Sequence, residues 1–365
     1  MCNGPVLQHA PEPGGPDITG DPAAKVAACR SQNHWDMRSN WMLAATLTAT
    51  LTGCFDTDVA ATPSFSADDV SIEVPTGNLR ALGGRGEVME LADEVSGDVN
   101  GWVGEMAASF GEMLAELSKH EPTRTDGDWR VYGPFDADDG DDLTVMVRVE
   151  GDAARGGFEV LVGPAGSSAS ELAIVFSGDL TETDEARTGS IRIDFDTIFE
   201  IEPLRKEIGG SDDFGGVIEV SFDRELESKA KTVELHFDGF HYANDEEDLE
   251  YRDEVYSFER EDGGAGSFHF ATWGTFDEEG WSGPQRERMT VDMVWDDSES
   301  GRARAQVLEL EGEGDLLFGD LVLEECFDPG FSLTWAEVNA PYRGLGGYSE
   351  GDATACRIDD SVFEG

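Results

Sequence analysis

The sequence predicts a mainly β protein: an antiparallel meander of about ten to twelve strands, forming an open half-barrel or curved sheet, behind an N-terminal amphipathic helical segment. Three observations carry that reading. After Thr125 the apolar spacing changes from about 3.6 residues to about 2 and keeps the shorter period for roughly 210 residues. The connectors between the alternating runs are hairpin-sized and acidic or glycine-rich, so neighbouring strands should be antiparallel. An apolar-x-apolar-x-Phe-Asp pattern recurs at Ile191 to Asp196, Ile218 to Asp223 and Val233 to Asp238, each copy reading as a strand that ends in a turn. These copies are too irregularly spaced for a solenoid or propeller.

In chain order, residues 54–66 suit a tether, because Asp56 to Ser64 is polar and short of large apolar groups. Residues 67–124 are the helical segment. Val70, Ile72 and Val74 alternate briefly; then, from Gly86 to His120, apolar residues such as Leu91, Val95, Trp102, Met106, Phe110, Leu114 and Leu117 recur every three or four positions. That is one amphipathic helix, or two joined near Gly97 and Gly101, stopping before Pro122 because a residue preceding proline avoids helical backbone.

Residues 125–340 are the β domain. Leu143-Val145-Val147-Val149, Phe158-Val160-Val162, Leu172-Ile174-Phe176, Phe268-Phe270 and Met289-Val291-Met293-Trp295, naming alternate positions, read as strands with one apolar face. Asp138-Asp139-Gly140, Gly209-Gly210, Asp262-Gly263-Gly264 and Asp296 to Gly301 read as their connectors. Residues 341–365 form a Gly-rich tail.

Upstream, Trp41 to Thr50 is an apolar or small-residue run of about ten residues, too short for a hydrocarbon core that needs about 20 in a helix. Its length suits the core of a signal peptide, and Met37-Arg38-Ser39-Asn40 supplies the cationic region before it. Leu51-Thr52-Gly53-Cys54 follows. This pattern resembles the lipobox of bacterial lipoproteins, in which the cysteine is diacylglycerated, the chain is cut just before it and the new amine is often acylated. The resemblance implies that residues 37–53 are a signal peptide and that Cys54 is the lipidation site and first mature residue. It also implies a membrane partner and a cell-envelope location facing the periplasm or exterior. An ordinary secretory signal with an incidental cysteine is the alternative. Residues 1–36, with Cys2, Cys29 and no apolar periodicity, precede the cationic region and are expected not to belong to the native chain, whose start would be Met37.

Charge narrows the partners. Removing Lys25, Arg30 and Arg38, and Glu12, Asp17, Asp21 and Asp36, from the totals of 25 basic and 78 acidic residues leaves 22 against 74 from Cys54 onward, a net charge near −52. Nucleic acid and anionic headgroups are disfavoured, since both need a positive surface. Lysine is scarce, with Lys119, Lys206, Lys229 and Lys231 alone after the cleavage site. Such a surface suits a saline habitat; clustered acids that bind divalent cations are the rival reading.

The charge carries a direct test. Compaction brings like charges together, and the Debye length falls from about 10 Å at 0.1 M salt to about 3 Å at 1 M, so melting temperature should climb across that range of NaCl. If micromolar calcium reproduces the whole rise at low salt, cation sites explain it instead. A melting temperature flat in both titrations would remove the basis of the saline reading.

With Cys54 taken by lipid, Cys326 and Cys356 are the one pair left to an exported chain, and a disulfide between them would fasten the tail to the last strands. Two free thiols are the alternative.

No catalytic motif survives inspection. Gly347-Tyr348-Ser349-Glu350-Gly351 matches G-x-S-x-G but lacks the preceding strand, the following helix and a downstream histidine that a nucleophile elbow needs. His236 and His241 fall on opposite faces in strict alternation, and with His269 they show no zinc spacing. The acidic run from Asp136 to Asp142 fails the EF-hand pattern, with Asp141 at the glycine position and Val147 at the glutamate position. No catalytic, cofactor or metal residue is assigned. The expectation is a lipid-anchored binding or structural module. The order of helix and then meander looks like the open half-barrels of periplasmic lipoprotein carriers, which implies an apolar or acyl ligand; that likeness is architectural and carries no residue. A secreted hydrolytic or glycan-active enzyme is the alternative.

Overall fold

The computed structural model describes residues 62–75, 87–136, 142–207, 213–243, 248–250, 254–275, 286–310, 322–338 and 349–363. Cys54 and the whole signal-like region lie outside these residues. The first six strands are β1 (Arg124–Asp126), β2 (Trp129–Asp136), β3 (Leu143–Gly151), β4 (Arg155–Pro164), β5 (Ala173–Glu182) and β6 (Ala186–Asp194). Then come β7 (Asp213–Glu225), β8 (Lys231–Ala243), β9 (Asp248–Glu250), β10 (Glu254–Arg260) and β11 (Gly266–Thr275). The series ends with β12 (Arg286–Trp295), β13 (Gly301–Leu310), β14 (Val322–Phe327), β15 (Leu333–Val338) and β16 (Ser349–Gly351).

All join one antiparallel meander in chain order, except that β9 pairs with β8 off the main path. No ladder among the described residues joins β1 to β16, so the sheet is open there. Both edges are three-residue, exposed strands, which limits pairing with other chains. Sixteen strands exceed the expected ten to twelve, because three-residue strands such as β1, β9 and β16 are too short to show a period. Two copies of the Phe-Asp echo also differ from expectation. Ile218 to Asp223 and Val233 to Asp238 lie inside β7 and β8, and only Ile191 to Asp196 ends its strand, at Phe195.

Among the described residues four α-helices accompany the sheet: α1 (Ala67–Val70), α2 (Glu87–Leu117), α3 (Phe195–Glu200) and α4 (Glu202–Glu207). α2 runs unbroken through Gly97 and Gly101, as one helix rather than two. Its N-terminus meets β14, where the buried Glu325 carboxylate accepts from Val88 N at 3.0 Å and Met89 N at 3.3 Å. A carboxylate there satisfies amides that have no partner within the helix and complements its dipole. Toward the other end, Phe110 packs on Phe158 of β4 and Phe176 of β5. From Val88 to Phe110 the helix rises about 33 Å, whereas the nine strand spacings from β4 to β14 cover about 43 Å of sheet. The sheet therefore curves around the helix as an arc around its chord. Val103, Met106, Leu114 and Leu117 of α2 share one buried core with Val147, Val160, Ile218, Leu235, Phe268 and Val291 of the sheet.

Residues 62–75 wedge between α2 and the sheet. Phe65, Val70, Ile72 and Val74 are buried, and Asn100 of α2 grips the backbone of Ile72 through both its amide atoms at 2.6 Å. Thr62 Oγ1 donates to Leu114 O at 2.9 Å. A Cβ on Gly111 would come within 2.3 Å of the Phe65 carbonyl oxygen, so glycine there permits the close approach. Thr62 and Phe65, which fall within the 54–66 expected as a polar tether, are thus buried in the folded body.

Candidate functional site

On the outer face, away from α2, strands β13, β14 and β15 floor a cleft of about 440 Å³. Register builds it. Arg302 and Arg304 stand two apart on β13; Arg304 pairs with Glu324 of β14, which pairs with Glu337 of β15, while Arg302 pairs with Cys326 and Cys326 with Trp335. Ala353, Cys356 and Asp360 of the tail form the facing wall.

Arg302 is 8% exposed. It donates to Glu324 Oε2 and to the Ile358 carbonyl (3.4 Å), and its guanidinium carbon lies 5.4 Å from the Trp335 ring centroid, a cation–π contact. Arg304 is held more loosely. Its Nε stands 3.7 Å from Glu324 Oε1 and its guanidinium carbon 6.0 Å from the Phe363 centroid, while its terminal nitrogens make no hydrogen bond among the described residues. Cys326 and Cys356 are joined in a disulfide with Cα atoms 5.4 Å apart, as the cysteine count predicted. Arg357 Nη1 adds a hydrogen bond to Ser298 Oγ at 3.1 Å.

The same polar row continues across the sheet from Arg304 to Asp292 and His269. His269 Nδ1 and Asp292 Oδ1 are 2.6 Å apart; that hydrogen bond raises the imidazole pKa above its usual value, against the opposing pull of burial. His236 lies 3.5 Å from Glu234, and His241 Nδ1 is 3.0 Å from the Gly239 carbonyl. The three histidines do not converge, and no metal-holding group of three occurs among the described residues. Strict alternation, which would put His236 and His241 on opposite faces, does not hold along β8. Gly216 and Gly239 adopt positive φ, the register slips between Gly215 and Val217, and Phe237 and Phe240 are both buried three apart, so strict alternation fails between the two histidines.

Ser349 begins the exposed edge strand β16, followed by a short 3-10 turn at Ala353–Ala355, which is not the strand–turn–helix of a nucleophile elbow. Residues 137–141 of the acidic run lie outside the described residues. No described helix is long and apolar enough to cross a membrane.

A second charged assembly lies on the inner face. Arg187 (β6), Arg224 (β7), Lys231 (β8) and Arg260 (β10) occupy one register row across four neighbouring strands. Like charges directly opposite repel. The segment 62–75 offsets part of that repulsion with two carboxylates. The fully buried Asp69 carboxylate reaches Arg187 Nη2 at 3.0 Å and Arg224 Nη1 at 3.3 Å, and accepts from Ser66 N at 3.0 Å. Glu73 meets Arg260 at 2.6 Å and Lys231 at 4.0 Å. Lys231 donates to Ser71 Oγ at 2.7 Å and to the Asp68 carbonyl at 3.2 Å, and burial pushes its amine below the usual lysine range, opposed by Glu73.

The sequence reading missed both assemblies. The one signal for the cleft was Arg-x-Arg at Arg302 and Arg304, in a chain with so few basic residues. Comparison with protein-family models, with curated proteins and with solved structures finds no match.

Proposed function

We propose that the protein is a lipid-anchored binding module of the cell envelope, held close to its membrane by Cys54. The supporting observation is the closeness of the folded body to Cys54: Thr62 and Phe65 are buried eight and eleven residues after it. Eight extended residues reach at most about 28 Å, so an anchored body stays within that distance of the bilayer. Its acidic surface is repelled by anionic headgroups, which makes a multi-acyl anchor the natural means of retention. The clasp at Asp69 and Glu73 passes any pull on the tether into the middle of the sheet. α2 takes the inner face that holds acyl chains in half-barrel carriers, which moves the recognition surface to the outer cleft.

Fractionation and mass spectrometry of the native protein test the anchor. We expect a mature N-terminus at lipid-modified Cys54, no peptide from residues 1–36, and release of Cys54→Ala from membranes. A mature chain that begins elsewhere, or unchanged membrane retention of the variant, overturns the proposal.

A further inference from the structure

We propose that the outer cleft binds a neutral, polyhydroxylated ligand, a short oligosaccharide segment, with Arg304 as donor and Glu337 and Asp360 as acceptors. This deepens the binding-module reading but does not depend on the anchor, so failure of either leaves the other open to measurement.

The ligand class follows from charge and hydrogen-bonding capacity. The lining carries two arginines and three carboxylates, Glu324, Glu337 and Asp360, within a chain of net charge −53. An anion meets a net negative lining and must compete with Glu324 for Arg304. A cation meets Arg302 and Arg304 on the floor. A neutral hydroxyl does neither, because it accepts from a guanidinium and donates to a carboxylate at once. Arg302 cannot serve as the main donor, since its terminal nitrogens are engaged by Glu324 and Ile358. Arg304 can, because its terminal nitrogens are free of hydrogen bonds among the described residues. The cleft volume of about 440 Å³ lies within the size range of ligand pockets. The tail wall depends on the disulfide, so the recognition geometry should depend on it too.

The test is calorimetric titration of the detergent-solubilised full chain with neutral trisaccharides built from glucose, mannose, galactose and N-acetylglucosamine, beside trilysine and triglutamate. At least one trisaccharide should bind, with affinity unchanged between 0.1 and 1 M NaCl, because screening acts only on charge pairs. Arg304→Ala and Glu337→Gln should each weaken it about tenfold, the size of one hydrogen bond to a charged group. The Cys326→Ala/Cys356→Ala double variant should weaken it as well. A melting curve on each variant separates lost contact from lost fold, and the isosteric Glu337→Gln keeps the test decisive if Arg304→Ala fails to fold. Three results overturn the proposal: no trisaccharide binds, only trilysine or triglutamate binds and does so in a salt-dependent way, or trisaccharide affinity survives both single variants in folded protein.

Discussion

Asp69→Ala should destabilise the protein by about 3 to 5 kcal/mol, the cost of leaving buried charges without their partner. The side chain is wholly buried, and its two oxygens serve Arg187, Arg224 and the backbone of Ser66. Removing it leaves Arg187 and Arg224 facing each other at the edge of the apolar core, with Glu182 and the Ser64 carbonyl still on Arg187 and Glu73 still on Lys231 and Arg260. Arg224, about one-third exposed, can recover some hydration, which places the expected loss nearer the lower bound. Urea unfolding measures it, and a companion variant gives the sharper comparison. Asp69→Leu with Arg187→Met and Arg224→Met removes both signs of charge together and should recover much of the stability, because the cost lies in the uncompensated ions rather than in the lost attraction. A loss below about 1 kcal/mol in Asp69→Ala would mean that the site behaves as an exposed ion pair, and the clasp would then have no part in holding the segment.

This clasp also qualifies the salt dependence expected of so acidic a chain. Screening relieves the dispersed surface repulsion but reaches buried pairs much less. Salt should therefore raise the melting temperature of the wild type without first loosening residues 62–75.

Part of the architecture was legible because it is periodic and local. β12 alternates from Met289 to Trp295, and the stripe of α2 repeats every three or four residues, so one buried face is readable in each without knowledge of its partner. β3 is less simple, because Thr144 and Met146 are buried on the face opposite Val145 and Val147. What escaped depends on partners far apart in sequence. Asp69 meets arginines 118 and 155 residues later, and Glu325 meets the start of α2 from 237 residues downstream. In a chain with 78 acidic residues no pattern marks these two carboxylates as buried. The slip at Gly216 and Gly239 was hidden for another reason. A bulge reverses alternation through backbone conformation, and glycine records only the permission for it. The outer cleft required the order of β13, β14 and β15, which hairpin-sized connectors imply, and their register, which those connectors do not.

The disulfide was legible because it is a matter of counting, and its removal should produce the second large loss. Cys326 and Cys356 close a loop with a sequence separation of 30, for which chain entropy gives a stabilisation of roughly 3 to 4 kcal/mol. Cys326 is fully buried on β14, while most of the described tail, residues 349–363, is exposed and offers little apolar surface of its own. The tail is held instead by the bridge, by the Arg302 contact to Ile358, by Arg357 on Ser298 and by the short ladder of β16 on β15. Two effects of Cys326→Ala/Cys356→Ala should then separate. Denaturant unfolding should show the global loss, and hydrogen exchange should show residues 349–363 losing protection well below the global transition, since local opening follows the regions with the fewest buried contacts. Protection of the tail that matches the wild type in the double variant would show that the non-covalent contacts suffice, and the disulfide would then act on the unfolded chain alone.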